Sequence, residues 1–111
     1  MLIASRRLKV RHDGQDRDIE VRIFLPEQHG EKSWSCRYEI DWPHGQWSHA
    51  AWGVDSVQAL NLTMRRIGTS IYVSEYHEAG RLWHEAPGRG YDFPAPNNLR
   101  HALIGDDKDF L

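Results

Sequence analysis

Apolar and polar positions alternate strictly over residues 34–42, where Trp34, Cys36, Tyr38, Ile40 and Trp42 are separated by Ser35, Arg37, Glu39 and Asp41. A period of two sends the two sets to opposite faces, so this stretch predicts a strand with one apolar face. The same period runs through two earlier segments. Leu2, Ala4, Leu8 and Val10 alternate with polar neighbours, Arg6 being the exception, and Ile19, Val21, Ile23 and Leu25 alternate with Asp18, Glu20, Arg22 and Phe24. His12-Asp13-Gly14-Gln15 supplies a turn between these two. A two-residue Asp13-Gly14 turn and a four-residue loop both bring the apolar faces together. Pro26 ends the second strand, and Glu27 to Lys32 reads as a polar connection. Pro43-His44-Gly45-Gln46 turns the chain back into Trp47–Trp52. A turn centred on His44-Gly45 would pair Trp42 with Trp47, Ile40 with His49, Tyr38 with Ala51 and Arg37 with Trp52. This puts His49 on the core face as a hydrogen-bonded histidine and the Arg37 guanidinium over the Trp52 indole.

From residue 55 the period changes. Val57, Leu60, Met64, Ile67 and Ile71 recur at spacings of three and four, an apolar stripe roughly 80° wide on a helix. Thr63, Arg66 and Ser70 fall on the opposite, wet side. Asp55 is a good N-cap, and Gln58 three residues on can reach back to complete a capping box. Glu75 and Glu78 return to the stripe side, so burial should end near Ile71, with Gly80 as a natural stop beyond. Arg81-Leu82-Trp83-His84 reads as a short fifth strand or an extended piece. Pro87, Gly88, Gly90, Pro94 and Pro96 then make a loop anchored by Tyr91 and Phe93. Asn97 or Asn98 is placed to cap a terminal turn through Leu99, Ala102 and Leu103, and residues 105–111, with Asp106, Asp107 and Asp109, read as a mobile acidic tail.

Strands first and a helix afterwards predict an α+β fold: an antiparallel sheet of four to five strands, in two hairpins, covered on one face by one long helix. A chain of 111 residues fits a single domain spanning 1–111. The net charge of −2 argues against a dedicated nucleic-acid surface. The basic run Arg6, Arg7, Lys9 and Arg11 does not change that, because either hairpin register sets Lys9 and Arg11 opposite acids. One cysteine excludes an internal disulfide and a zinc site with two Cys ligands. No apolar run is long enough to span a bilayer and the N-terminus has no secretory core, so a reduced cytoplasmic location is expected.

Candidate chemistry is sparse. His77 and His84 stand seven apart with Gly80 between them, which is not the spacing of a helical metal motif, so no metal and no cofactor are expected. Cys36, mid-strand among aromatics, reads as a buried thiol with a raised pKa. No Walker loop, dinucleotide fingerprint or nucleophile elbow is present, and Gly88-Arg89-Gly90 is too short to cradle a phosphate by itself. No catalytic residue is assigned. Five tryptophans in 111 residues are more than a core of this size requires. Trp34, Trp42 and Trp47 fit the core, leaving Trp52 and Trp83, ringed by Arg37, Glu39 and Tyr91, to form an aromatic sheet face able to bind a partner or a second copy.

Three stretches carry a resemblance: Gly53-Val54-Asp55-Ser56-Val57-Gln58-Ala59-Leu60, Gly80-Arg81-Leu82-Trp83 and Gly90-Tyr91-Asp92-Phe93-Pro94. With the Met1–Arg11 opening they resemble a family of small uncharacterised bacterial proteins known only as a domain of unknown function. The resemblance implies a stand-alone domain with no assigned activity, cofactor or catalytic residue. The leading functional expectation is a non-enzymatic interaction or regulatory domain, using the aromatic sheet face or the 84–96 loop. The alternative is a small-ligand or enzymatic site between the helix C-terminus and the 84–94 loop, built from His77, Glu78, His84 and Tyr91. A pocket lined by those four would favour the alternative.

Overall fold

The computed structural model describes residues 1–94, 102–105 and 107. Asp13 and Gly14 both adopt positive φ, as a type I′ turn requires. That selects the two-residue hairpin between β1 (Leu2–His12) and β2 (Gln15–Phe24), with Lys9 opposite Asp18 and Arg11 opposite Asp16. Pro26 interrupts the next strand without ending the pairing. A short β3 (Glu27–Gly30) runs along the same edge of β4 (Ser33–Trp42) that β2 occupies further along, in place of the expected irregular connection. β5 (Gly45–Gly53) takes the other edge of β4. The strands therefore form one continuous antiparallel sheet in which the two expected hairpins, β1–β2 and β4–β5, are joined by the pairing of β2 with β4. With β6 (Leu82–Trp83) added outside β1 the sheet has six strands, ordered β5-β4-β2-β1-β6 with β3 beside the start of β4.

The β4–β5 register differs from the expected one by two residues. The turn is Pro43-His44, so Trp42 faces Gly45, Ile40 faces Trp47, Tyr38 faces His49 and Ser35 faces Trp52. A shift of two keeps every side chain on its expected face but moves it along the sheet. Trp47 and His49 thereby leave the core: Trp47 is 48% exposed, its indole N–H donating to the Tyr38 hydroxyl at 3.0 Å, and His49 is exposed.

Helix α1 (Ser56–Tyr72) starts as the sequence suggests. Asp55 accepts from the Gln58 N–H at 2.8 Å, and the Gln58 side chain reaches back to the Val54 N–H at 2.7 Å. Its buried face is rotated from the apolar stripe. Ala59, Thr63, Ile67 and Ile71 lie against the sheet, Leu60 and Met64 are half-buried on one flank, and Val57 is 74% exposed. Thr63, expected in water, is 0% exposed. Its hydroxyl donates to the Cys36 carbonyl at 2.6 Å and accepts from the Ala51 N–H at 3.3 Å, and Cys36 and Ala51 face each other across β4 and β5. One hydroxyl thus ties the helix to both strands at a single rung. The helix ends at Tyr72, well before Gly80. Ser74 caps a new turn, α2 (Glu75–Glu78), and Gly80 at φ 69° follows it.

The core is completed by Tyr76 of α2 and by Tyr91, Phe93 and Leu103 from the C-terminal part of the chain. Asn97, Asn98 and Leu99 of the expected terminal turn lie outside the described residues. So do positions 106 and 108–111 of the expected tail, but Asp107 is 1% exposed and not a solvated tail residue.

Removing the Thr63 hydroxyl without changing its volume should expose its role. Thr63→Val is expected to lower the unfolding free energy by about 1–3 kcal/mol in urea titrations, with Thr63→Ser much closer to wild type. A larger loss from Ser than from Val would assign the role to the methyl group instead.

Candidate functional site

The six residues nominated by the sequence do not converge. Trp52 stands on the sheet face away from α1, on β5, and Trp83 on the same face, on β6, with three strands between them. At ~4.8 Å per strand that separates them by roughly 19 Å. Trp52 is 56% exposed and packs on the His29 ring at 4.5 Å, while Trp83 is half-buried near Arg11. Arg37 sits opposite Ala50, not Trp52. Its guanidinium lies 3.8 Å from the Phe24 ring centroid and bonds Glu39 at 2.8 Å. His84 forms an isolated bridge with Ala86.

The open face is ionic, not aromatic. By register it carries Arg7, Lys9, Arg11, Arg22 and Arg37 against Asp16, Asp18, Glu20, Glu27, Glu39 and Asp41, five cations to six carboxylates. Arg22 is its hub, reaching Asp41 at 2.5 Å, Glu39 at 3.1 Å and Glu20 at 3.3 Å. The Arg22 hydrogen bond holds the Asp41 carboxyl below the usual range. A face neutralised in this way has no long-range pull on an anionic partner.

His77 and Tyr91 are brought together, but inside the protein. The Tyr91 hydroxyl lies 3.2 Å from the Leu82 carbonyl oxygen and 2.6 Å from His77 Nδ1, within hydrogen-bond reach of both. Beside them is a residue pair that the sequence reading missed. The Tyr72 hydroxyl donates to Asp107 at 2.5 Å, and the same carboxylate accepts the successive N–H groups of Tyr91 at 2.9 Å and Asp92 at 2.7 Å. Two consecutive amides converging on one anion form a nest. The Gly88-Arg89-Gly90 piece does lead into an anion cradle, filled by the chain's own Asp107. A Cβ on Gly90 would come within 2.6 Å of that carboxyl group. On the other side, Arg6 donates to the Tyr91 and Asp92 carbonyls at 3.0 and 2.7 Å, so the loop's N–H and C=O sides are both held. Burial pushes the Tyr91 and Tyr72 phenols up and the His77 imidazolium down. It also raises the Cys36 thiol, which suits a hydrophobe and not a nucleophile.

Among the described residues, three grooves can be traced on the surface. One of about 220 Å³ lies between the start of β1 and the Leu60–Met64 flank of α1, near Phe93. A second, about 360 Å³, is bounded by Arg11, Gly80, Arg81, Trp83 and Pro87. The third, about 380 Å³, lies between the Trp42–Trp47 turn and Ser70 and Val73 of α1. None of the three is lined by His77, Glu78, His84 or Tyr91.

The outer edge of β5 is a further candidate. The Trp42–Gly45 turn pair is hydrogen-bonded, and alternation then points the N–H groups of Gly45, Trp47, His49 and Ala51 at β4. Gln46, Ser48, Ala50 and Trp52 point theirs outward, with no strand beyond among the described residues. Residues 45–53 contain no charged residue and no proline, and the ladder to β4 has no bulge. Nothing in the apolar periodicity signals this. The signal is the absence of charge from a strand whose turn places it last in the sheet.

Residues 4–95 match the model of the family described as Domain of unknown function (DUF6968), a span that includes all three resemblance motifs. The chain belongs to that family. No curated protein and no solved structure gives a match. Among the described residues of this DUF6968 domain, no helix is long and apolar enough to cross a membrane, and no three His, Cys, Asp or Glu side chains are grouped to hold a metal ion.

The buried knot of this DUF6968 domain generates two tests. Asp107→Ala should cost roughly 3 kcal/mol of stability by chemical denaturation, since it leaves the buried Tyr91 amide, the Asp92 amide and the buried Tyr72 phenol without their acceptor. His77 contributes in a pH-dependent way. Its folded-state pKa is depressed from 6.5 by burial, so the unfolded chain takes up the proton first. Its contribution is complete above pH 6.5 and declines as the pH falls below that value. His77→Gln should flatten the stability profile in that acidic range relative to wild type.

Proposed function

We propose that this DUF6968 domain is a non-enzymatic protein-interaction module that takes up an extended segment along the free edge of β5. The observation that supports this reading is the chemistry of that edge. Natural sheets guard their outermost strands with charge, proline, bulges or a covering element. The β1 edge follows that rule: it carries Arg7, Lys9 and Arg11 and is covered in part by β6. Among the described residues β5 has none of these protections over its nine positions, and it presents Trp47 and Trp52 half-exposed on its two faces. Outward main-chain groups supply affinity to any extended chain, and the flanking indoles select its side chains. A regulatory role would follow from which segment is taken up.

A display selection with random extended peptides tests the reading. Uncharged segments should be recovered, and their binding should be lost in Ser48→Pro, which removes one outward N–H, and weakened about tenfold in Trp47→Ala, a loss near 1.4 kcal/mol. Recovery of binders to the ionic face or the 84–94 loop alone would contradict it. A small-ligand reading has one observation behind it, the groove of about 360 Å³ where Arg11, Arg81 and Trp83 converge. It requires a small anion that raises the melting temperature of wild type but not of Arg81→Ala.

A further inference from the structure

We infer that the edge of β5 is completed by the same edge of a second copy of this chain, running antiparallel about a two-fold axis at His49. The inference rests on the strand-addition reading and names its occupant. The strand runs from Gly45 to Gly53, with His49 at its centre. Full antiparallel overlap sets His49 opposite His49 of the second copy, Ser48 opposite Ala50, Trp47 opposite Ala51 and Gln46 opposite Trp52. Every outward-pointing residue then meets an outward-pointing one. A slip of one residue would set outward groups against inward ones and break the ladder. Four hydrogen-bonded residue pairs result, roughly eight main-chain hydrogen bonds.

The side chains agree with this register. Each indole meets a small or uncharged residue, and no like charges face each other along the seam. The neighbouring flank of α1 points the same way. Leu62, Arg66, Ser70 and Val73 share one angular sector of the helix, and Ser70 and Val73 share the groove of about 380 Å³ with Trp47. Leu62, Val73 and Trp47 are all exposed large apolar residues, and Val73 and Trp47 line the same groove. A two-fold perpendicular to the sheet brings the second copy's helix to the same side, antiparallel to the first. The apolar flanks then close over the groove from both sides. This is an isologous interface, the commonest kind in homodimers.

The test is a cysteine scan with a mass measurement. At a non-hydrogen-bonded antiparallel pair the Cα atoms lie roughly 4.5 Å apart, within disulfide reach. Native Cys36 is fully buried and does not compete. Wild type should sediment as a dimer at micromolar concentration. His49→Cys should form a covalent dimer under mild oxidation at least tenfold faster than Ser48→Cys, whose opposite residue is Ala50. A wild-type protein that is folded by circular dichroism yet monomeric at hundreds of micromolar overturns the self-pairing. The strand-addition reading would survive that result if peptides still bind the β5 edge, and would fall with it if they do not. A dimer in which Ser48→Cys couples faster than His49→Cys, or in which neither couples, overturns the two-fold at His49.

Discussion

One helix must cover a sheet wider than itself. The seventeen residues of α1 make a rod roughly 26 Å long and about 10 Å across, while five strands abreast span roughly 24 Å. The helix lies over β4 and β5, fastened there by Thr63. The β1–β2 side has to be filled by something else. Tyr91, Phe93 and Leu103 do this, and they hold their place because Arg6 grips the carbonyl side of the 91–92 loop while Asp107 grips its amide side. A buried Asp107 carboxylate is tolerated because three donors satisfy it, and removing any one of them leaves a charge poorly solvated.

This division of labour leaves the two edges of the sheet unequal. Beyond β1 the chain adds β6, fixed by the Arg11 N–H to the Arg81 carbonyl at 2.8 Å, and the strand itself is charged. Beyond β5 no strand is added among the described residues. The ionic face does not compensate as a binding surface. Its five cations are all paired with carboxylates within the face, and exposed pairs of this kind contribute little individually. Among the described strand edges left without a partner, that of β5 is the longest free of charge, and there the functional proposal is placed.

The sequence made the α+β architecture readable because β4 alternates without exception and because Asp55 and Gln58 announce the helix start. The register of β4 on β5 was not readable. Turns at Pro43-His44 and at His44-Gly45 preserve the same faces, so the alternation cannot choose between them. The choice decides whether Trp47 and His49 fall under the helix or beyond it. Thr63 was misplaced because a hydrophobicity pattern counts every hydroxyl as wet, whereas this one replaces water at a rung between two strands. Asp107 was missed for a similar reason. An acid among other acids near the chain's end reads as solvated, and its partners, Tyr72 and the amides of Tyr91 and Asp92, lie 15 to 35 positions away in sequence. Of the nominated site residues, His77 and Tyr91 did meet, as packing partners. Arg37, Trp52 and Trp83 belong to separate neighbourhoods of the open face.

The claim on which the functional account stands is that the outward amides of β5 have no partner within one copy of the chain. Residue-resolved hydrogen exchange on dilute, monomeric protein measures this directly. The account expects fast exchange at Gln46 and Ser48, beside slow exchange at Trp47 and His49, whose N–H groups point at β4. Equal, strong protection at all four positions in the monomer would contradict it.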